Sequence, residues 1–87
     1  MKTKISARKK AKKIEPTLWI GKNGLSGSAI EEIEKQLKKK RLIKVKILKS
    51  ALENVTRKGL ASEIKERTKA DIIELVGNII VLKKDDN

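Results

Sequence analysis

TLWIGKNGLSGSAIEEIEKQLKKKRLIKVKI, residues 17–47, reads as strand, turn, helix and strand without a break. Thr17 to Ile20 is a short apolar run that reads as a strand. Ile30, Ile33 and Leu37 then recur at helical spacing and form one buried stripe. Past the basic run Lys38-Lys39-Lys40-Arg41, the residues Ile43, Val45 and Ile47 alternate with Lys44 and Lys46, as in a strand buried on one face and basic on the other. Two strands joined through a helix are expected to lie parallel, or to share one sheet through a right-handed crossover.

Between the first strand and the helix sits Gly21-Lys22-Asn23-Gly24. Glycine reaches positive φ and carries no Cβ, so a loop framed by two glycines can lie flat against a ligand. The helix that follows presents unpaired N–H groups and the positive end of its dipole, which favour an anion. Lys22 adds a mobile charge, and Asn23 tolerates left-handed geometry while offering both donor and acceptor. The competing reading is an ordinary strand-to-helix turn. Either Ser26 or Ser28 can cap the helix: Ser28 with Glu31 fits a capping box, and Ser26 adds a turn that includes Gly27. Glu31 with Lys35, and Glu34 with Lys38, stand at i,i+4 spacing on the wet face, so these glutamates read as helix support and not as a catalytic pair.

Outward from this unit, Ser6 can cap a helix to about Ile14, with Ala7, Ala11 and Ile14 on one side and Arg8, Lys9, Lys10, Lys12 and Lys13 around the rest. Its apolar stripe is thin: a membrane-surface or transit-type helix stays open as a reading but lacks bulky apolar residues, and Pro16 ends the helix. On the C-terminal side, 48–53 is a connection, and a helix is expected over about 54–68 with Leu60, Ala61 and Ile64 inward. Gly59 within it implies close packing or a frayed first turn. Arg57, Lys58, Lys65 and Arg67 fall on its exposed side with Glu63 and Glu66. Ile72, Ile73, Leu75 and Val76 meet Ile79 to Leu82 across Gly77-Asn78, a two-residue turn suited to a hairpin. Residues 83–87 are polar and expected to fray. The whole, 1–87, is one domain of order α-β-α-β-α-β-β, a two-layer α/β sandwich with helices covering a mixed four-stranded sheet.

Composition narrows the chemistry. With no cysteine and no histidine in 87 residues, thiolate nucleophiles, the usual general base and the common metal ligands are missing, so an enzyme, a metal site or a bound cofactor is not expected. No small-molecule substrate is implied. The spacing of Gly21, Gly24 and Gly27 fits neither G-x-G-x-x-G nor a P-loop. No apolar run is long enough to span a membrane, and the lysine-rich start lacks a signal-peptide core; a soluble cytoplasmic protein, monomeric and without membrane association, is the expectation. The net charge is +12, and all of it lies in residues 1–49, which hold 16 Lys/Arg against 4 Asp/Glu; residues 50–87 hold 7 of each. A polyanion is the natural partner. Trp19, the one aromatic residue, cannot build the multi-ring platforms of RRM or OB folds, and reads as a core or edge residue of its strand ahead of a base-stacking one. Backbone-directed binding through lysines and a G-x-x-G loop, as in KH-type domains, is what remains.

Arg8-Lys9-Lys10-Ala11, Ile14-Glu15-Pro16, Ile20-Gly21-Lys22-Asn23-Gly24-Leu25, Leu42-Ile43-Lys44-Val45-Lys46, and Val76-Gly77 followed by Val81-Leu82 together resemble the CRM domain, or YhbY-like, family of RNA-binding proteins. The resemblance runs from residue 8 to residue 82 in the family's order. It implies a fold similar to the C-terminal domain of bacterial translation initiation factor 3, with strand order 1-2-4-3. It also implies that the G-x-x-G loop and neighbouring basic residues contact structured RNA, ribosomal RNA in precursor particles above all, in ribosome assembly and maturation. Plant relatives act in group II intron splicing within longer chains; the single-copy, ribosome-associated type is the closer analogue. The expected contacts are Gly21, Lys22, Asn23 and Gly24 with Arg8, Lys9, Lys12, Lys13, Lys38, Lys39, Lys40, Arg41, Lys44 and Lys46, joined in one continuous basic surface. The alternatives are a chromatin-type protein coating DNA by charge, or an interaction module docking an acidic protein.

Overall fold

A computed structural model describes residues 14–53 and 55–84. The helix expected over residues 6–14 lies outside them except for Ile14, which is in irregular backbone before Pro16. In chain order the elements are β1 (Leu18–Ile20), α1 (Gly27–Lys40), β2 (Leu42–Ile47), a 3-10 turn (Lys49–Leu52), α2 (Arg57–Thr68), β3 (Asp71–Val76) and β4 (Ile79–Lys83). The four strands form one sheet in the order β1-β2-β4-β3. β1 lies parallel to β2, with Leu18 opposite Val45 and Ile20 opposite Ile47. β4 runs antiparallel to both β2 and β3, so the sheet is mixed as expected.

Periodicity explains which sides are buried. On β2 the side chains of Ile43, Val45 and Ile47 face the helices and are fully buried with Ile80 and Leu82 of β4. Ile30, Ile33 and Leu37 of α1 and Leu60, Ala61 and Ile64 of α2 close the same core. Burial of an aliphatic side chain of this size contributes about 1.5–3 kcal/mol, and this layer is the main source of stability. A smaller cluster, Leu42, Ile73 and Val81 with Ile14 and Ile79 against it, lies on the sheet face turned away from the helices. Ile73 reaches that face through a register shift between Ile72 and Glu74, which bends β3 against β4.

The turns follow their residues. Gly77 has φ +57° while Asn78 does not enter the left-handed region, the glycine-first pattern of a type II′ hairpin. α2 starts three residues later than expected, because Thr56 caps it by accepting from the Gly59 N–H at 2.9 Å. Gly59 therefore sits in the first turn, where a Cβ would come within 3.2 Å of the Thr56 Oγ1. Lys83 does not fray: it pairs in β4 opposite Leu42 and Asp71, and the Lys84 N–H donates to the Arg41 carbonyl at 2.9 Å.

Candidate nucleic-acid interface

The loop 21–24 is a closed turn, the Gly24 N–H donating to the Gly21 carbonyl at 2.9 Å. Its two central residues, Lys22 and Asn23, are therefore pushed outward and are exposed. The glycines differ in what they supply. Gly24 has φ +63° with open space where a Cβ would stand, so its role is backbone handedness. Gly21 has no positive φ, and a Cβ there would make ordinary contacts, 3.5 Å from Leu48 Cδ1 and 3.7 Å from Ser50 Oγ. The left-handed geometry that Asn23 tolerates is not used, because the turn needs only Gly24 in that region.

Beyond the turn, Leu25 packs against the core and Ser26 caps α1, its Oγ accepting from the Ala29 N–H at 3.2 Å. No acidic residue occupies the first turn of α1, so no carboxylate competes for its unpaired N–H groups. The Arg67 guanidinium donates to the Leu25 carbonyl at 3.0 Å and pairs with Glu63 at 3.2 Å. Arg67 thus ties the last turn of α2 to the exit of the loop. Two backbone bonds, Leu48 N–H to the Ile20 carbonyl and Ile47 N–H to the Asn78 carbonyl, bring the ends of β1 and β2 and the β3–β4 hairpin to one edge of the molecule. Arg57 donates to the Gly77 carbonyl at that edge, and exposed Lys49 follows directly after β2. Lys22 lies in the turn, Arg67 holds its exit and Lys49 follows the strand beside it, while Arg57, about 15 Å from Arg67 along α2, holds the hairpin. Of these, sequence reasoning picked only Lys22. Arg57 and Arg67 read as solvated charge of α2, and nothing in their spacing revealed the carbonyls they hold.

Lys38, Lys39, Lys40 and Arg41 stand at the far end of α1. A helix of 14 residues rises about 21 Å, so this run and the turn form two poles and not one compact cluster. Lys84 joins the second pole: with Glu31, Glu34, Lys35 and Lys38 it lines a shallow groove on the wet side of α1. β2 runs between the poles and carries Lys44, half-buried, and Lys46, exposed, on the face away from the helices. The continuous surface expected from the sequence is thus drawn out along the sheet. Arg8, Lys9, Lys12 and Lys13 lie outside the described residues. Trp19 is 56% exposed on the same face, which places it at the sheet edge and out of the core. Among the described residues, no group of three or more His, Cys, Asp or Glu could hold a metal ion, and no helix is long and apolar enough to cross a membrane.

Comparisons with known proteins bear on the family and the fold. Residues 1–84 match the model of the CRS1 / YhbY (CRM) domain. A protein of Methanocaldococcus jannaschii named a probable RNA-binding protein is 38% identical over 81 residues, 93% of this chain and 60% of that protein. An RNA-binding protein of Haemophilus influenzae is 33% identical over 69 residues, 79% of this chain and 68% of its own length. The chain thus spans about three fifths to two thirds of these relatives. A Staphylococcus aureus protein solved in solution, described as a candidate RNA-binding protein, superposes with a TM-score of 0.79 at 30% identity, covering all of this chain and 92% of the other. The mixed four-stranded sheet under its helices and the match over nearly the whole length lead to one assignment: this chain belongs to the CRS1 / YhbY (CRM) domain family.

Proposed function

We propose that this chain is an RNA-binding protein that grips the sugar-phosphate backbone with the 21–24 turn and the cations around it. Its target in this reading is structured ribosomal RNA in precursor particles. The observation that carries the proposal is the closed turn, which presents Lys22 and Asn23 outward, with Arg67 holding its exit and Lys49 following the strand beside it. Family membership, with relatives named for RNA binding, supports it. The chemistry is charge neutralisation and close backbone approach: lysines and arginines replace condensed counterions, and the small turn lets main-chain N–H groups reach phosphate oxygens. Contacts of this kind hold any sequence of the right shape, so base identity is left to the fold of the RNA.

The test is a titration of labelled, folded RNA followed by anisotropy over about 50 to 200 mM salt. Neutralising about six phosphates gives a log–log slope near −4 on single-stranded segments. Lys22→Ala is expected to weaken all RNA sequences about equally, and Gly24→Glu to weaken them more. A slope near zero, or both variants binding like the parent, would overturn the assignment. Duplex DNA competing as well as folded RNA at one salt concentration would move the protein to the chromatin-type class. Crosslinking in cells with sequencing of the attached RNA tests the ribosomal target separately.

A further inference from the structure

The sheet face turned away from the helices carries a feature that backbone gripping does not use. In the register of the strands, Trp19 of β1 stands beside Lys46 of β2, Lys46 beside Ile79 of β4, and Ile79 beside Val76 of β3. These four residues form a single row across the whole sheet. Three interstrand spacings make it about 14 Å wide. Trp19 and Val76 close its two ends with 56% and 57% of their surface exposed, Ile79 is half-buried, and Lys46 is exposed. The row lies at the loop end of the sheet, since Trp19 precedes Gly21 by two residues, about 7 Å along an extended strand.

From this placement we infer that Trp19 is a stacking platform for one unpaired nucleobase of an RNA whose phosphates the 21–24 turn and Lys46 hold. The inference rests on the RNA-binding reading above and deepens it. A lone exposed tryptophan is unremarkable by itself. Here it is joined to a cation directly across the strand pair and to a phosphate-binding turn on the same strand. An indole face gains about 1–3 kcal/mol from stacking on a base, whichever base it is. Ile79 and Val76, beyond Lys46, offer apolar contact to the sugar or base that follows. A protein partner fits less well, because three apolar side chains interrupted by a lysine fall well short of the roughly 800 Å² that each side of a stable interface buries. The consequence is that the protein prefers RNA with an unpaired nucleotide next to its helical part over a blunt duplex, whose bases are paired and stacked on one another except at its two end faces.

Because the chain has one tryptophan, its emission reports on this position alone. The intact chain is titrated with a labelled RNA hairpin that has an unpaired loop, and with a blunt RNA duplex of the same composition. RNA anisotropy and tryptophan emission are read in the same samples. The expected result is binding to both by anisotropy, but emission quenching only with the hairpin. Trp19→Leu is expected to weaken hairpin binding about five- to a hundredfold and duplex binding little, and Trp19→Phe to restore most of the loss. Thermal melts of the two variants are expected to match the parent, since the ring is not part of the core. Saturable anisotropy with unchanged emission, or Trp19→Leu binding the hairpin like the parent, would overturn the stacking role while leaving RNA binding in place, and would turn the row toward a protein partner. Absence of any anisotropy change with either RNA would remove the RNA reading itself, and the platform with it.

Discussion

Gly21 and Gly24 frame one turn for different reasons, and substitution separates them. Gly24→Ala forces an L side chain to φ +63° and is expected to cost about 1–2 kcal/mol by denaturant unfolding. Gly21→Ala adds a methyl at ordinary contact distance from Leu48 and Ser50, so a change within about 0.5 kcal/mol is expected. RNA affinity need not follow stability at Gly21, where closeness to a backbone is the issue and not handedness. The sequence shows two glycines and cannot say which carries the positive φ, because that depends on the direction in which the chain leaves the turn. Thr68 is a similar case. It is fully buried at the end of α2, where its hydroxyl donates to the Ile64 carbonyl at 2.7 Å and accepts from the Ala70 N–H at 3.3 Å. Thr68→Val keeps the volume and removes both bonds, so a loss of about 1–3 kcal/mol is expected in the same unfolding assay. A polar residue in a polar run gave no sign of burial, since the hydroxyl is satisfied by its own helix and by a neighbour two residues on.

Elements with a strong period were legible; their ends were not. The stripe Ile30, Ile33, Leu37 and the alternation Ile43, Val45, Ile47 fixed a helix and a strand with the correct buried sides. The start of α1 was open between Ser26 and Ser28, because the capping box with Glu31 satisfies local rules as well as the observed cap does. What selects Ser26 is tertiary: Arg67 holds the Leu25 carbonyl and sets where the chain enters the helix. Ser26→Ala is expected to lower stability by about 1 kcal/mol and Ser28→Ala to leave it nearly unchanged, measured by thermal and denaturant unfolding. At the other ends, Arg41 and Lys69 take left-handed backbone at φ 63° and 62° where glycine is usual. No residue pattern announced this. Each N–H still reaches back to the last turn, to the carbonyls of Leu37 and Lys65. The bulge at Ile73 was equally silent, because an extra residue in a strand looks like uninterrupted apolar sequence.

The described part of the molecule, about 39 × 23 × 19 Å, is long enough to hold its two basic poles apart. The double reversal Lys39→Glu with Lys40→Glu is therefore expected to spare a short RNA and to weaken an RNA that spans about 20 Å or more, with a shallower salt slope for the long RNA only. Lys22→Glu is expected to weaken both. Comparing anisotropy titrations of the two RNA lengths decides it. The charge excess of residues 1–49 pointed to a polyanion without showing that its lysines divide between two ends, because helix length and strand direction are needed to place them. Nor could it show that Arg67, from the half with no net charge, holds the exit of the turn. That turn hangs on β1, a strand of only three residues at the sheet edge. Its approach is clasped by Thr17 and Gln36: the Thr17 hydroxyl donates to Gln36 Oε1, and Gln36 Nε2 donates back to the Thr17 carbonyl at 3.4 Å and to Glu32 Oε2 at 3.1 Å. Gln36→Leu opens that clasp without touching the core, so the amide protons of Leu18, Ile20 and Gly24 are expected to exchange with deuterated water faster and in concert, while those of β4 keep their protection. The strand that carries the turn then has a latch of its own at its far end, and can breathe at a rate that global unfolding does not set.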